Sequence, residues 1–386
     1  MISISDLVEK VEKINPNNKY GSWKYIDIAS VDRFQKKIVL ESVSDITPDS
    51  APSRARQLVF AGDIIISTVR PNLNTVAIIP KELDGAIAST GFCVLRPNKL
   101  KVDTKYLFHY VKSEAFVNSL VKLATGANYP AVSDKIIKEQ QLKAISLCEQ
   151  KEIAATLDKA ENILHKREQA IKLADDFLRA NFLKLFGDPI SNPKNWELRK
   201  LGEIADCQLG KMLSKKSKTG LSPKKYLRNA NIRWRKIDVS DLLEMDFNEK
   251  ELSKFELKQG DLLVCEGGEI GRCAIWDNQI QDCYYQKALH RVRPDYNVLT
   301  SVYLQEYFYS MAKGNAFSEF VSEVTFSHLT AEKLKNLLIP IPEISIQRKF
   351  EMIYNKLNTL IYDKYSDEIS LTLLSNAINK KLINHL

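Results

Sequence analysis

The chain is 386 residues long, 44% apolar and carries a net charge of +8, which is more than one hydrophobic core usually organises and too small an excess to name a partner alone. No run approaches the eighteen apolar residues of a membrane helix, no signal-like segment opens the chain, and none of the six cysteines stands in C-x-x-C spacing, which excludes a membrane span, a zinc ribbon and a dithiol redox site. A soluble, cytoplasmic protein of two or three domains with reduced thiols is expected.

From the N-terminus, short apolar runs separated by Gly, Pro and Asn predict strands at Leu58–Phe60, Asp63–Thr68, Val76–Pro80 and Gly91–Leu95. Spaced apolar residues then predict a helix over Thr104–Lys122, suited to pack on that sheet. A loop, Thr125-Gly126-Ala127-Asn128-Tyr129-Pro130, faces outward before the final strand. From Ile153 a seam of Leu157, Ala160, Leu164, Ile171, Ala174, Leu178 and Leu185 predicts a long helix, interrupted on that face by Arg167 and stopped by Gly187-Asp188-Pro189.

The chain then repeats itself. Arg96-Pro97 recurs as Arg293-Pro294, Tyr106-Leu107 as Tyr303-Leu304 and Gln150-Lys151 as Gln347-Arg348, all at an offset of 197. Upstream the register slips a little, with Gly62-Asp63 matching Gly260-Asp261 and Tyr25 matching Tyr226. So long a unit is a duplicated domain, not a solenoid repeat. Its second copy predicts strands at Asp261–Glu266, Arg272–Trp276 and Ala288–Val292, a helix over Ser301–Val321, a loop at Ser322–Ser327, and a second long helix through Phe350, Tyr354, Leu357, Ile361, Leu371, Ile378 and Leu382, with Lys364 opposite Arg167. Neither helix contains Pro or Gly, so each can run about 50 Å at 1.5 Å per residue. A helix with one apolar stripe must bury it, and its own repeat mate is the expected partner within the chain. The fold class is α+β: two mixed α/β domains in a duplicated arrangement with two long helices. Domain limits are expected at 1–143, 144–187, 188–342 and 343–386.

The charge is concentrated. Lys211 to Lys236 holds ten basic residues and no acidic one, so the rest of the chain nets −2. Lys211, Lys215, Lys216 and Lys218 suit phosphate contacts, while Arg228, Asn231, Arg233 and Arg235 can also read base edges. In the first copy the candidates are Arg54, Arg56, Thr68, Arg70, Asn72 and Asn74 around a strand end, with Asn128 and Tyr129 in the outward loop. The second copy has Glu266-Gly267-Gly268-Glu269 where the first has its strand end, so the two copies are expected to read different bases. Gly267 to Gly271 matches no phosphate-loop pattern and reads as a tight turn. Five scattered histidines offer no metal spacing, no hydrolase motif is present, and Cys273, Cys283 and His290 have no counterparts in the first copy, so neither a catalytic site nor a metal is expected.

Leu183-Lys184-Leu185-Phe186-Gly187-Asp188-Pro189 leading to Asn195-Trp196 and Leu201-Gly202-Glu203-Ile204, the paired Gly-Asp before an apolar strand, and Ile339-Pro340-Ile341-Pro342 before Gln347 together resemble the specificity subunits of type I restriction-modification systems, across essentially the whole chain. One departure is Leu142-Lys143-Ala144-Ile145 in place of the Pro-rich strand in the first copy. The resemblance implies target-recognition domains at 1–143 and 188–342, each reading half of a split double-stranded DNA target, and conserved helices that pair antiparallel, give the molecule pseudo-two-fold symmetry and dock two modification subunits. It also implies that methyl transfer, translocation and cleavage, with S-adenosylmethionine, ATP and Mg2+, belong to modification and restriction subunits. No methyl-donor loop, Asn-Pro-Pro-Tyr box or Walker motif stands in the sequence. The alternatives are a nuclease or methyltransferase with its own DNA-reading domains, and a homodimeric coiled-coil scaffold.

Overall fold

A computed structural model describes residues 1–126, 128–214, 217, 220–314 and 329–363, with side chains placed up to 360. The chain forms two compact units, one containing residues up to Arg167 and the other running onward from Glu168.

In the first unit a four-stranded antiparallel sheet orders Val8–Glu9, Phe92–Pro97, Ile64–Ser67 and Val76–Ile78. The central run Ile64-Ile65-Ile66 is apolar without alternation because both faces are covered. Ile64 and Ile66 face a core with Tyr106, Leu107 and Phe116 of the helices, while Ile65 faces Ile26, Ala88 and Val94 on the other side. A second, mixed sheet orders Ser44–Ile46, Trp23–Ile26, Ile87–Ser89 and Ala55–Leu58, with Tyr25 parallel to Ile87. The helix expected over Thr104–Lys122 is two, Thr104–Lys112 and Glu114–Leu123, because the Ser113 hydroxyl accepts from the Phe116 N–H and starts a new helix. The strand expected at Leu58–Phe60 lies earlier, at Ala55–Leu58.

The second unit repeats the plan. Ala205–Leu209, Leu289–Pro294, Leu262–Cys265 and Cys273–Ile275 form its antiparallel sheet; Leu243–Asp246, Pro223–Leu227 and Cys283–Tyr285 form the mixed one, with Tyr226 parallel to Tyr284. Leu262 and Val264 face one core, Leu263 and Cys265 the other. The departure at Leu142 leaves the duplication intact: Ile2–Ser3 pairs with Gln141–Leu142 as Glu197–Lys200 pairs with Leu338–Ile341.

The sequence phrases shared by the copies are contacts. Asp63 accepts both Arg96 nitrogens, at 3.0 and 2.8 Å, and Asp261 accepts those of Arg293, each at 2.7 Å. These carboxylates are 2% and 1% exposed, so their charges are stable only because the guanidiniums are there. Gln150 accepts from Asp103 N–H and donates to the Lys101 and Ile145 carbonyls; Gln347 accepts from Thr300 N–H and donates to Val298 and Pro342. Each glutamine clamps the start of a long helix to its own domain.

The first long helix runs Leu147–Phe186. Of the expected stripe, Leu157, Ala174 and Leu178 are buried and Ala160, Leu164, Ile171 and Leu185 are half-buried; Arg167 lies on it and is buried too. Past Leu178 the seam leaves heptad register, and Phe182 and Phe186 stack into Tyr303 and Phe350 at ring distances of 4.7–5.7 Å. Gly187 ends the helix at φ +82, where any Cβ would meet Pro193 at 2.8 Å, and Trp196 Nε1 donates to the Phe186 carbonyl. The second long helix begins at Ile344 and its described part ends at Asp363; Lys364, Leu371, Ile378 and Leu382, on which the expected pairing rests, lie outside the described residues, as does the loop Ser322–Ser327.

Candidate DNA interface

In the first unit the strand Ile64–Ser67 delivers the chain to a rim. Arg70 and Asn74 take left-handed backbone angles, φ 51 and 47, flanking the turn Pro71–Leu73. The loop after Thr125 closes on it: Ala131 bridges both Val69 and Thr125, and the Arg70 N–H donates to the Pro130 carbonyl at 2.7 Å. Gly126, at φ +101, permits this, because a Cβ would meet the Tyr129 carbonyl at 2.9 Å. The fold therefore joins two segments that are separate in sequence. The Arg70 guanidinium lies 4.7 Å from the centre of the Tyr129 ring, which is 69% exposed. Asn72 and Asn128 are exposed beside this pair.

Arg54 is exposed, and its carbonyl accepts from Thr90 N–H next to Gly91. Arg56 is half-buried, with its guanidinium on the Ala55 carbonyl. Two candidates are engaged internally. The Thr68 hydroxyl donates to Gly91, and the Asn74 amide donates to the Lys112 carbonyl at 2.9 Å. They hold the rim in shape.

The second unit corrects the expectation more deeply, because much of the basic stretch is neutralised from within. Lys211 is fixed beside Gly210, where a Cβ would meet the Gln286 carbonyl at 2.3 Å, and its ammonium bonds Glu251 and the Asp246 carbonyl. Asn231 is buried and satisfied by Arg228 N–H and the carbonyls of Asp238 and Asp241. Arg228 pairs with Asp241 at 2.7 Å. Arg235, at φ 62, turns inward; it bonds Glu306 through two nitrogens, at 2.6 and 2.5 Å, and Asp175 at 2.6 Å, with only 7% of its side chain exposed. Arg235 is thus a brace and cannot reach a base edge. Arg233 stays exposed. Lys215, Lys216 and Lys218 lie outside the described residues.

Sequence reasoning passed over the hairpin Val31–Asp32 and Lys37–Ile38 of the first unit. The signal was there in Arg33-Phe34-Gln35-Lys36-Lys37, overshadowed by the longer basic run. Lys36 donates to the Asn74 carbonyl, which brings the hairpin to the same rim. Partial burial, with Lys112 and Arg33 nearby, lowers the Lys36 ammonium to about 8. Glu269, singled out from sequence only as a difference between the copies, accepts from the Trp234 indole at 2.6 Å.

Among the described residues no group of three His, Cys, Asp or Glu side chains could hold a metal, and no helix is long and apolar enough to cross a membrane. His290 is fully buried against the Leu329 carbonyl, and burial pushes the Cys283 thiol up to about 12.

Residues 1–173 and 193–366 each match the family described as the Type I restriction modification DNA specificity domain. The chain is 24% identical over 324 residues to the MjaVIII specificity subunit of Methanocaldococcus jannaschii, covering 78% of this chain and 73% of that one. It is 24% identical over 291 residues to the EcoKI specificity subunit of Escherichia coli, covering 70% of this chain and 62% of that relative. Among solved structures, the S subunit from M. genitalium aligns over 99% of this chain and 95% of its own, with a TM-score of 0.61 at 17% identity, a likeness of fold. Two family domains spanning most of the sequence establish that this chain belongs to the type I restriction modification DNA specificity family, a non-catalytic subunit that recognises DNA sequence while its partners do the chemistry.

Proposed function

We propose that the two domains read the two halves of a bipartite double-stranded DNA target, and that the long helices set the gap between the halves and dock two modification subunits, with restriction subunits joining through that complex. The observation that carries this is a contrast. The copies share their bracing, Asp63–Arg96 with Asp261–Arg293 and Gln150 with Gln347, yet differ at the same strand end, where Arg70-Pro71-Asn72 faces Gly267-Gly268-Glu269 in the alignment. A duplicated scaffold with diverged rims suits two different half-sites. S-adenosylmethionine, ATP and Mg2+ are expected with the partner chains.

The test expresses the chain with its modification subunit and maps methylated sites. The expected product is one two-part sequence with a fixed gap, and no methylation by this chain alone. Inserting seven residues near Arg167 and seven near Lys364 keeps the heptad register and adds about 10 Å of helix. At about 3.4 Å per base pair the gap should lengthen by up to about three base pairs, with both half-sites unchanged. An active complex that keeps its original gap would reject the spacer role.

A further inference from the structure

We propose that the tip of the hairpin Val31–Ile38, through Arg33 and Phe34, is a DNA-contacting finger of the first recognition domain, and that the second domain has fastened its corresponding hairpin into the protein. This rests on the reading of the chain as a DNA-recognition subunit and names a further element that does the recognising.

The tip is ordered and turned to solvent. Asp32 Oδ1 accepts the N–H groups of Phe34 and Gln35 at 2.8 and 3.0 Å, and Lys36 closes the turn at φ 54. Phe34 is nevertheless 82% exposed. A ring held out by its own turn contributes little to a core, since its apolar surface stays in water. The Arg33 guanidinium lies 4.8 Å from the centre of that ring and has no carboxylate within ion-pair distance among the described residues.

The hairpin is also tied to the rim. Lys36 donates to the Asn74 carbonyl, and the Asn74 amide donates to Lys112, so the tip is anchored to the turn that presents Arg70 against Tyr129. Two arginines, each lying on an exposed ring, therefore project from joined loops. Guanidinium on a ring is an arrangement that serves nucleic acid well, because the cation meets phosphate or a guanine edge while the ring contacts a base face or a thymine methyl.

The second domain supplies the contrast. Its hairpin pairs Ile232 with Ile237 and Arg233 with Lys236, leaving a loop of two residues where the first has four. The residue before the return strand is again basic and left-handed, Arg235 for Lys36. Arg235, however, is neutralised by Glu306 and Asp175, and Trp234 is held by Glu269 and packs edge-on to Tyr309 at 5.2 Å. At the 197 offset, Glu306 stands where the first domain has His109. There the carboxylates Asp158 and Glu161 are engaged by Lys105, His109 and Lys112, and Lys36 is left with a carbonyl. Positive charge that one copy cancels internally is kept at the rim in the other.

The experiment makes Arg33→Ala and Phe34→Ala separately in the full chain, assembles each with the modification subunit, and measures binding to DNA variants across the site at several salt concentrations. Neither change should alter the melting temperature. Base readout by Arg33 predicts that discrimination falls about 5- to 150-fold at one or two base pairs of one half-site, the other half-site being untouched. Uniform weakening with a salt slope about one unit shallower also supports contact, through phosphate. Unchanged affinity, preference and slope in both variants overturns the finger while leaving the recognition role intact. A wild-type complex with no sequence preference overturns that role itself.

Discussion

Replacing Arg235 with Ala removes the guanidinium that holds Glu306 from two nitrogens and Asp175 from a third. The magnitude follows from burial. The Glu306 side chain is 2% exposed, so without its partner it is an uncompensated interior carboxylate, at a cost of about 3–5 kcal/mol. Asp175 is 36% exposed, and screening limits its share to about 1 kcal/mol or less. For a unit of roughly 200 residues each kcal/mol moves the melting temperature by about 2–4 °C, so the second unit should melt about 6–20 °C lower. Calorimetry on the whole chain resolves this if the first unit's transition stays in place. The double change Arg235→Met with Glu306→Leu deletes both charges and should recover most of the loss, because a buried pair replaced by apolar groups is close to neutral. A shift under about 3 °C for Arg235→Ala, or a double variant that melts no higher, would refute the claim that this residue is a brace.

Two further outcomes are expected. Gln347→Ala strands Thr300 N–H and the Val298 and Pro342 carbonyls in the interior and should cost the second unit about 2–4 kcal/mol, with Gln150→Ala doing the same to the first; urea denaturation measures both, and losses under about 1 kcal/mol would show that the helix starts are held otherwise. Lys36 gives a pH signature through burial, the facing charges of Lys112 and Arg33, and the partial offset from Asp32. Its folded value of about 8 lies below its unfolded value near 10.5, so the charged form opposes folding below pH 8 and that opposition is relieved as pH rises toward 10.5. Stability measured from pH 7 to 10 should therefore rise less in Lys36→Met than in the native chain; parallel curves would contradict the assignment.

The duplication and the central strand of the first domain were legible because they leave local marks. Ile64-Ile65-Ile66 is a run that only a strand buried on both faces tolerates, and the recurring Gly-Asp and Arg-Pro are two ends of one ion pair. The mixed sheet was mostly not legible, since Trp23–Ile26 and Ile87–Ser89 are short and meet as parallel partners about sixty residues apart. The basic stretch was visible as composition, but its neutralisation was not. Lys211 finds Glu251 forty residues on, and Arg235 finds Glu306 seventy-one residues on. A count of charges along the chain registers sign and density; only the fold decides which of them reach solvent.

The aromatic stack at the end of the first long helix has a consequence for synthesis. Phe182 and Phe186 leave the ribosome with that helix, but Tyr303 and Phe350, which cover them, follow more than a hundred residues later. At about 5–20 residues per second the wait for Phe350 is roughly 8–30 s. Ala154, near the start of the same helix, packs in a core whose other members precede it in the chain. During that interval a nascent chain carries two bare phenylalanines one helical turn apart, an open invitation to chaperones and to neighbouring chains. Prematurely terminated chains lacking Phe350 should for this reason aggregate through that turn.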